Sequence, residues 1–195
     1  MSSNPMRPYL GRLVGVKDLA TGIKLFQVEL TEPEGQAAFA DYKPGQFAFL
    51  SAFGAGEAPF GLASIPARGP YLEFAVNALG HVTHTLHILD VGDPVGVRGP
   101  LGNGFPMDEI RERHVVVLGG GIGGAPLRPV IQTILADRAA YGPLVILWAA
   151  RSSDLLVFSD GYDEWCAAPD TELHLTGDKG WERGRGNVGR IIPLP

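Results

Sequence analysis

The chain has 195 residues, a formal net charge of −5 and 45% hydrophobic residues, which predicts one large or two small packed domains and excludes a disordered chain. It has no lysine–arginine cluster, no apolar run long enough to span a bilayer and no signal peptide, which argues against nucleic-acid and membrane partners and favours a cytoplasmic location. Because Cys166 is the single cysteine, the chain can form neither an internal disulfide nor a four-cysteine iron–sulfur site.

The first half of the chain predicts a small antiparallel barrel. Six short segments have strand character, and several alternate between apolar and polar residues. They are residues 10–16, 23–30, 46–52, 59–65, 71–78 and 94–98. Residues 83–89 predict a short amphipathic helix with Thr83 as its N-cap. Among the aromatic residues, Phe47, Phe49 and Phe53 are expected in the barrel core, and Phe60 is expected at a cofactor.

The second half opens with a strand, a glycine turn and a helix. Residues 115–118 form an apolar, β-branched run that predicts a strand buried on both faces of a parallel sheet. Five of the next six residues are glycine, and residues 125–136 predict a helix with Pro126 in its first turn. Such a turn lets backbone N–H groups approach a phosphate at the positive end of the helix dipole. We predict a dinucleotide phosphate site here; the alternative is a glycine-rich connector without a ligand.

Two more strands, at residues 144–149 and 173–176, extend the predicted parallel sheet. A loop at residues 151–154 and a short helix at residues 160–165 lie between them. The glycine- and proline-rich segment GPLGNGFP before this half indicates a domain boundary. We therefore predict a barrel domain at residues 1–108 and a shortened α/β domain at residues 109–195.

Six motifs follow one another in an order that resembles one known family. They are KPGQF (43–47), EAPFGLAS (57–64), GHVT (80–83), VRGP (97–100), GNGF (102–105) and GGIGGAPL (120–127). Across residues 7–190 the chain resembles the ferredoxin–NADP reductase superfamily. Within it, the chain is most similar to the gamma subunits of multi-subunit hydrogenases and sulfhydrogenases, and it is also similar to the electron-transfer subunit of dihydroorotate dehydrogenase.

The resemblance implies a barrel that binds FAD, followed by a domain that binds NAD or NADP. The chain would then be an FAD-containing NAD(P)H oxidoreductase subunit. It would pass electrons between NAD(P)H and an iron–sulfur or hydrogenase-type partner subunit, because no iron–sulfur cluster is expected in this chain. The alternative is a degenerate, non-catalytic FAD-binding or scaffold subunit of an electron-transfer complex.

The resemblance also assigns site residues. Phe60 would pack against the isoalloxazine, and backbone N–H groups of Gly80, Val82 and Thr83 would hold the FAD pyrophosphate. The implied FAD-binding residues are Phe60, Gly61, Leu62, Ala63, Ser64, Val76, Asn77, Gly80, His81, Val82 and Thr83. The implied NAD(P)-binding residues are Gly120, Gly121, Ile122, Gly123, Gly124, Ala125, Pro126, Arg151 and Asp154. For Arg151, a surface position without a ligand is the alternative.

The chain departs from the family pattern in its flavin motif and at its end. Ala58 replaces a common arginine, Gly61 replaces a serine whose hydroxyl lies near the flavin N5, and Asn77 replaces a basic residue. The chain is expected to be truncated at its C-terminus, before the family's Cys-Gly-Pro segment and its cysteine cluster. These departures favour the non-catalytic alternative, whereas the intact glycine turn favours the oxidoreductase.

Two surface features carry weaker expectations. His81, His84 and His87 are spaced three apart and could pair on a helix, but they are expected on a solvated face and no metal site is predicted. The outer edge of the strand at residues 173–176, together with the tail at residues 184–192, is expected to contact an iron–sulfur partner, because an unpaired edge requires a cover.

Overall fold

The structure is a computed structural model, which describes residues 6–179 and 192–193. It contains a six-stranded antiparallel sheet followed by a four-stranded, mostly parallel sheet. This confirms the predicted fold class, a barrel followed by an α/β unit. The predicted domain boundary between residues 108 and 109 falls within a 3-10 turn, Met107–Ile110, and stays a prediction.

The six strands of the first sheet close into a barrel. In chain order they are β1 (Tyr9–Ala20), β2 (Ile23–Leu30), β3 (Phe47–Ala52), β4 (Gly56–Gly61), β5 (Leu72–Asn77) and β6 (Pro94–Leu101). Their spatial order is β4-β3-β6-β1-β2-β5, and every pair is antiparallel. A bridge between Leu62 and Phe74 joins the end of β4 to β5. Two short helices, α1 (Pro33–Ala38) and α2 (His81–His87), accompany the barrel, and α1 was not predicted.

The inward faces of the strands supply the barrel core. Phe26, Leu50 and Phe74 are fully buried. The core positions predicted for Phe47, Phe49 and Phe53 are wrong, because Ala48, Leu50 and Ala52 take the inward side of β3. Phe47 and Phe49 are half-buried, and Phe53 is exposed.

The second sheet contains three parallel strands and a short antiparallel one. They are β7 (Val115–Gly120), β8 (Leu144–Ser152), β9 (Thr171–Lys179) and β10 (Ile192–Pro193), in the order β10-β9-β8-β7. Because β10 pairs with β9 at His174 and Leu175, the edge expected to contact a partner is partly occupied, and β10 and β7 are the outer strands of this sheet within the described residues. Of the tail at residues 184–192, all but Ile192 lies outside the described residues.

One face of this sheet carries both of its helices, α3 (Arg128–Ala136) and α4 (Tyr162–Ala167). Val117 points into that core and is buried, whereas Val116 and Leu118 on the opposite face are 58% and 69% exposed. The prediction that the first strand is buried on both faces is therefore wrong. Its apolar composition indicated a strand covered on both faces, but within the described residues both helices cover the face of Val117 alone.

The two predicted helix starts also differ from the structure. The glycine turn continues as 3-10 helix over Gly121–Leu127, so Pro126 lies within it and α3 begins at Arg128. Gly80 takes the N-cap position of α2, and Thr83 lies three residues later. The Thr83 hydroxyl accepts hydrogen bonds from the Gly80 and Leu79 amides at 2.8 and 3.0 Å, so it satisfies amides at the helix start from inside the helix. No α-helix in the described part of the chain is long and apolar enough to cross a bilayer.

Trp148 fixes how the glycine turn sits on the sheet. Its side chain is 1% exposed, its ring lies 5.2 Å from that of Trp165, and its indole N–H donates to the Val157 carbonyl at 3.1 Å. A Cβ at Gly119 would lie 2.6 Å from this ring, and one at Gly124 would lie 2.3 Å from it. Both glycines are therefore required by the close packing of the turn against Trp148.

We predict that Gly124→Ala lowers the free energy of unfolding by about 1–3 kcal/mol, because the added methyl group overpacks the Trp148 ring. Gly123→Ala is the matched control, since a Cβ at Gly123 meets nothing within 4 Å. Urea denaturation of the two variants and the wild type measures the difference. Equal stability of the two variants would contradict the packing role assigned to Gly124.

Candidate functional site

A cleft of about 610 Å³ lies between the barrel and the glycine turn. This volume falls within the range of about 300–1,000 Å³ that is usual for small-molecule sites. Its lining comes from β4, β5, the start of α2 and the 3-10 turn. The lining residues are Ala55, Ala58, Pro59, Phe60, Gly61, Ala75, Asn77, Leu79, Gly80, His81, Val82, Thr83, Ile122, Ala125 and Pro126. The lining is mostly apolar and contains no lysine or arginine from the described residues.

The two walls of the cleft meet where Gly61 faces Pro126. A Cβ at Gly61 would lie 2.9 Å from Pro126 Cβ, which is closer than side-chain carbons pack. A serine, which the resemblance led us to expect at this position, would not fit unless Pro126 moved. Gly61 is therefore part of the contact between the barrel and the glycine turn.

The predicted FAD-binding residues divide into two groups. Seven of them line the cleft: Phe60, Gly61, Asn77, Gly80, His81, Val82 and Thr83. The other four have fully buried side chains and lie behind the cleft surface: Leu62, Ala63, Ser64 and Val76. The structure thus brings the start of α2 and the end of β4 together around one space, as a single ligand spanning both would require.

The predicted NAD(P)-binding glycines also divide. A Cβ at Gly120, Gly121 or Gly123 would meet nothing within 4 Å, so these three leave an open space over the turn. Gly121 has a positive φ of 52°, a conformation that glycine adopts without strain. In contrast, Gly124 packs on Trp148. Ile122, Ala125 and Pro126 line the cleft beside the predicted flavin residues.

The two polar residues predicted near the nucleotide ribose have different surroundings. Arg151 is exposed near the end of β8. Asp154 accepts a hydrogen bond from the Thr21 hydroxyl at 3.1 Å, and its carbonyl accepts one from the Thr21 amide at 3.4 Å. Hydrogen bonds from Ser152 and Thr21 lower the pKa of the Asp154 carboxyl below its usual value. Asp154 thus joins the α/β unit to the barrel in this structure.

Comparison with known proteins identifies the family of this chain. Residues 117–192 match the oxidoreductase NAD-binding domain. Sulfhydrogenase 1 subunit gamma of Pyrococcus furiosus is 36% identical over 98% of this chain and 67% of its own length. Sulfhydrogenase 2 subunit gamma of the same organism is 36% identical over 80% of this chain and 54% of its own length. The chain thus spans about half to two thirds of these relatives. It belongs to the ferredoxin–NADP reductase superfamily.

Two further matches fall within the same superfamily. A probable electron-transfer subunit of dihydroorotate dehydrogenase B from Methanocaldococcus jannaschii is 36% identical over 64% of this chain and 44% of its own length. The fold is that of the ferredoxin–NADP⁺ reductase of Plasmodium falciparum, with a TM-score of 0.74 at 14% identity over 88% of this chain and 70% of that one. Both resemblances stated from the motifs are confirmed.

A buried polar network that the sequence did not reveal lies behind the cleft of this ferredoxin–NADP reductase-like chain. Arg128 pairs with Glu73, and Gln132 accepts a hydrogen bond from the Ile65 amide at 3.1 Å. The signal was a glutamate within the apolar strand sequence YLEFAV, where a charged residue requires a buried partner. The partner could not be identified, because Arg128 lies 55 residues further along the chain.

The histidines of α2 make contacts with backbone carbonyls. His84 Nδ1 lies 2.8 Å from the Gly80 carbonyl, and His87 Nε2 lies 2.9 Å from the Val76 carbonyl. Within the described residues, no group of three or more histidine, cysteine, aspartate or glutamate side chains could hold a metal ion.

Tyr42 adds a buried hydroxyl next to the predicted flavin residue Ser64. Tyr42 Oη and Ser64 Oγ share a hydrogen bond at 3.2 Å, and both residues are almost fully buried. Burial raises the pKa of Tyr42 to about 12; the Ser64 hydrogen bond opposes this shift, and the nearby Glu73 charge adds to it. The folded protein therefore holds Tyr42 neutral at a pH where an unfolded chain would ionise it.

We predict that Tyr42 makes the protein sensitive to alkali. Its stabilising contribution is complete below the unfolded pKa of about 10 and is lost as the pH rises through about 12, which amounts to roughly 3 kcal/mol. Tyr42→Phe should cost about 1 kcal/mol near neutral pH through the lost hydrogen bond, and should show a shallower decline above about pH 10. Urea denaturation across this range measures both effects. Parallel pH curves for the two proteins would contradict the shift.

Proposed function

We propose that this chain is a flavin-dependent oxidoreductase subunit that passes electrons between NAD(P)H and an iron–sulfur partner through FAD. The observation that carries the proposal is the shared cleft, which is lined both by Phe60 on the barrel and by Pro126 on the glycine turn. Hydride transfer requires the nicotinamide and the isoalloxazine to lie against each other, so their two sites must open into one space. FAD, when bound, supplies the chemistry that links a two-electron hydride to single-electron transfer.

The barrel side of the cleft is the proposed flavin site. The Phe60 ring offers a flat apolar surface at the end of β4, and Val82 extends this surface at the start of α2. The buried Leu62, Ala63, Ser64 and Val76 shape the wall from behind through their packing. The cleft lining is mostly apolar, as is usual for sites that hold a planar aromatic ring.

The glycine turn is the proposed site of the NAD(P)H pyrophosphate. Gly120, Gly121 and Gly123 leave room for the phosphates to approach the backbone, because any Cβ at these positions would enter the open space. Arg151 is exposed near the carboxyl end of β8 and is available to the adenosine ribose or its phosphate. The side of the cleft formed by Ile122, Ala125 and Pro126 would hold the nicotinamide end.

The proposed partner is a subunit that carries an iron–sulfur cluster. The curated relatives are named as subunits of sulfhydrogenases and of dihydroorotate dehydrogenase B. The lone Cys166 cannot ligate a cluster, which needs about four ligands. Electrons that reach the flavin site would therefore leave to a cluster outside residues 1–195 or to a soluble acceptor, and we propose the cluster.

A non-catalytic, FAD-binding scaffold is the second candidate. The observation that favours it is the bare cleft wall at Gly61, which offers no hydroxyl, together with Ala58 and Asn77 in place of charged residues. Under this candidate the cleft would bind FAD, but NAD(P)H would not reduce it. The two candidates therefore differ in flavin reduction and agree in flavin binding.

We predict that Phe60→Ala weakens FAD retention about fivefold, because a stacked aromatic contact contributes on the order of 1 kcal/mol. Equilibrium dialysis of the protein against free FAD measures the dissociation constants. Phe53→Ala is the matched control, since Phe53 is an exposed aromatic residue outside the cleft. A wild-type protein that takes up no FAD would exclude both candidates, and an unaffected Phe60→Ala would place the flavin elsewhere.

We predict that NADH or NADPH bleaches the flavin absorbance of the FAD-loaded wild type under anaerobic conditions. Gly123→Val should abolish this bleaching and retain FAD, because the valine side chain would fill the open space over the turn. Stopped-flow absorbance and a parallel nucleotide titration measure the two steps. A loaded wild type that neither dinucleotide reduces would favour the scaffold, and a Gly123→Val variant reduced at the wild-type rate would place the nucleotide elsewhere.

A further inference from the structure

A buried ion pair joins the barrel to the α/β unit behind the cleft. Arg128, the first residue of α3, donates from Nη1 to Glu73 Oε2 at 2.5 Å and to the Ala63 carbonyl at 2.9 Å. The side chains of Glu73 and Arg128 are 6% and 17% exposed. Charged groups this deeply buried require partners for their polar atoms, because an unpaired charge away from water is strongly unfavourable.

Both members of the pair have further partners. Gln27 Nε2 donates to Glu73 Oε1 at 2.9 Å, so each carboxylate oxygen accepts a hydrogen bond. The guanidinium carbon of Arg128 lies 4.7 Å from the centre of the Phe158 ring, a cation–π distance. The pair is thus held from two barrel strands on one side and from the α/β core on the other, and its orientation is defined by directional contacts.

A second side chain of α3 holds the same barrel segment one helical turn further on. Gln132 is 2% exposed, and its Oε1 accepts a hydrogen bond from the Ile65 amide at 3.1 Å. Since Arg128 donates a hydrogen bond to the Ala63 carbonyl, α3 binds residues 63–65 through two hydrogen bonds. Residues four apart lie on one face of a helix, which allows both to reach this segment.

Residues 63–65 and the start of α3 are directly connected to the two walls of the cleft. Residues 63–65 follow Phe60 and Gly61, which form the barrel wall. On the other side, Leu127 alone separates Arg128 from Pro126, which forms the opposite wall. A movement of Arg128 relative to Glu73 would therefore change the contact between Pro126 and Gly61.

We propose that Arg128 and Glu73 are positioning residues that set the separation of the flavin and nucleotide walls of the cleft. This inference rests on the proposed function for its effect on catalysis, although the geometry it describes does not require a cofactor. A purely apolar interface between the barrel and the α/β unit could slide without losing its packing. A guanidinium that donates to two fixed hydrogen-bond acceptors favours one arrangement of the two units. Neither residue lines the cleft, so both would act through the residues that do.

Two other ion pairs also join the barrel to the α/β unit and serve as controls. Arg68 pairs with Glu164, and Lys17 pairs with Asp160 at 2.7 Å. The side chains in these pairs are 38–57% exposed, so water and salt screen them. Arg68→Ala, like Arg128→Met, removes a cation from between the barrel and the α/β unit. At this exposed position it should change the placement of the two units little.

The first test measures the distance between the barrel and the α/β unit without any cofactor. A spin label on the exposed Cys166 of α4 and a second on Glu34→Cys, exposed in α1, report the distance between the α/β unit and the barrel. Pulsed electron paramagnetic resonance should give a narrow distance distribution for the wild type and for Arg68→Ala. Glu73→Gln and Arg128→Met should broaden or shift it. Unchanged distributions in both variants would overturn the proposal.

The second test follows flavin reduction in the FAD-loaded chain at saturating NAD(P)H. Glu73→Gln and Arg128→Met should slow reduction about 10- to 100-fold, because misplacement by ~1 Å has effects of this size. FAD content and nucleotide affinity should stay near wild type, which a general loss of folding would not allow. Arg128→Lys, which keeps the charge but not the forked geometry, should fall between Arg128→Met and the wild type.

The outcomes separate the positioning role from the proposed function. Reduction rates in Glu73→Gln that match those of Arg68→Ala would overturn the positioning role. A wild type that NAD(P)H does not reduce would refute the oxidoreductase proposal, and the label distances would then decide the positioning proposal alone. If Arg128→Met does not fold, the isosteric Glu73→Gln and the conservative Arg128→Lys carry both tests.

Discussion

The approach of Gly61 to Pro126 is the contact on which the candidate site depends. It places the end of a barrel strand directly against the turn that opens the α/β unit, and it leaves the cleft between Phe60 and Ile122 as a shared space. A side chain at Gly61 would push the two walls of the cleft apart, so the shape of the cleft depends on this glycine. The buried hydrogen bonds of Arg128 and Gln132 hold the same two elements from behind.

The glycine turn serves packing and ligand access at different positions. Gly119 and Gly124 bring the backbone against the buried ring of Trp148, whereas Gly120 and Gly123 face open space. Packing therefore fixes the side of the turn that lies on Trp148 and leaves the opposite side accessible. A phosphate site needs this combination, because backbone N–H groups must be both rigidly placed and accessible.

Much of the fold could be predicted because its signals are local. Alternation in residues 23–30 and 46–52 predicted two barrel strands, and an apolar run followed by five glycines predicted the start of the α/β unit. Other features depend on contacts between distant segments and could not be predicted this way. The exposure of Leu118 depends on which face of the sheet the two helices cover, and the ion pair of Arg128 joins segments 55 residues apart.

The central claim is that one cleft between the barrel and the glycine turn receives the flavin. A crystal structure of the chain grown with FAD tests it most directly. We expect electron density for the isoalloxazine between Phe60 and Pro126, with the pyrophosphate near Gly80 and Thr83 and with Arg128 still paired to Glu73. Flavin density at any other surface, with this cleft free of ligand, would contradict the account.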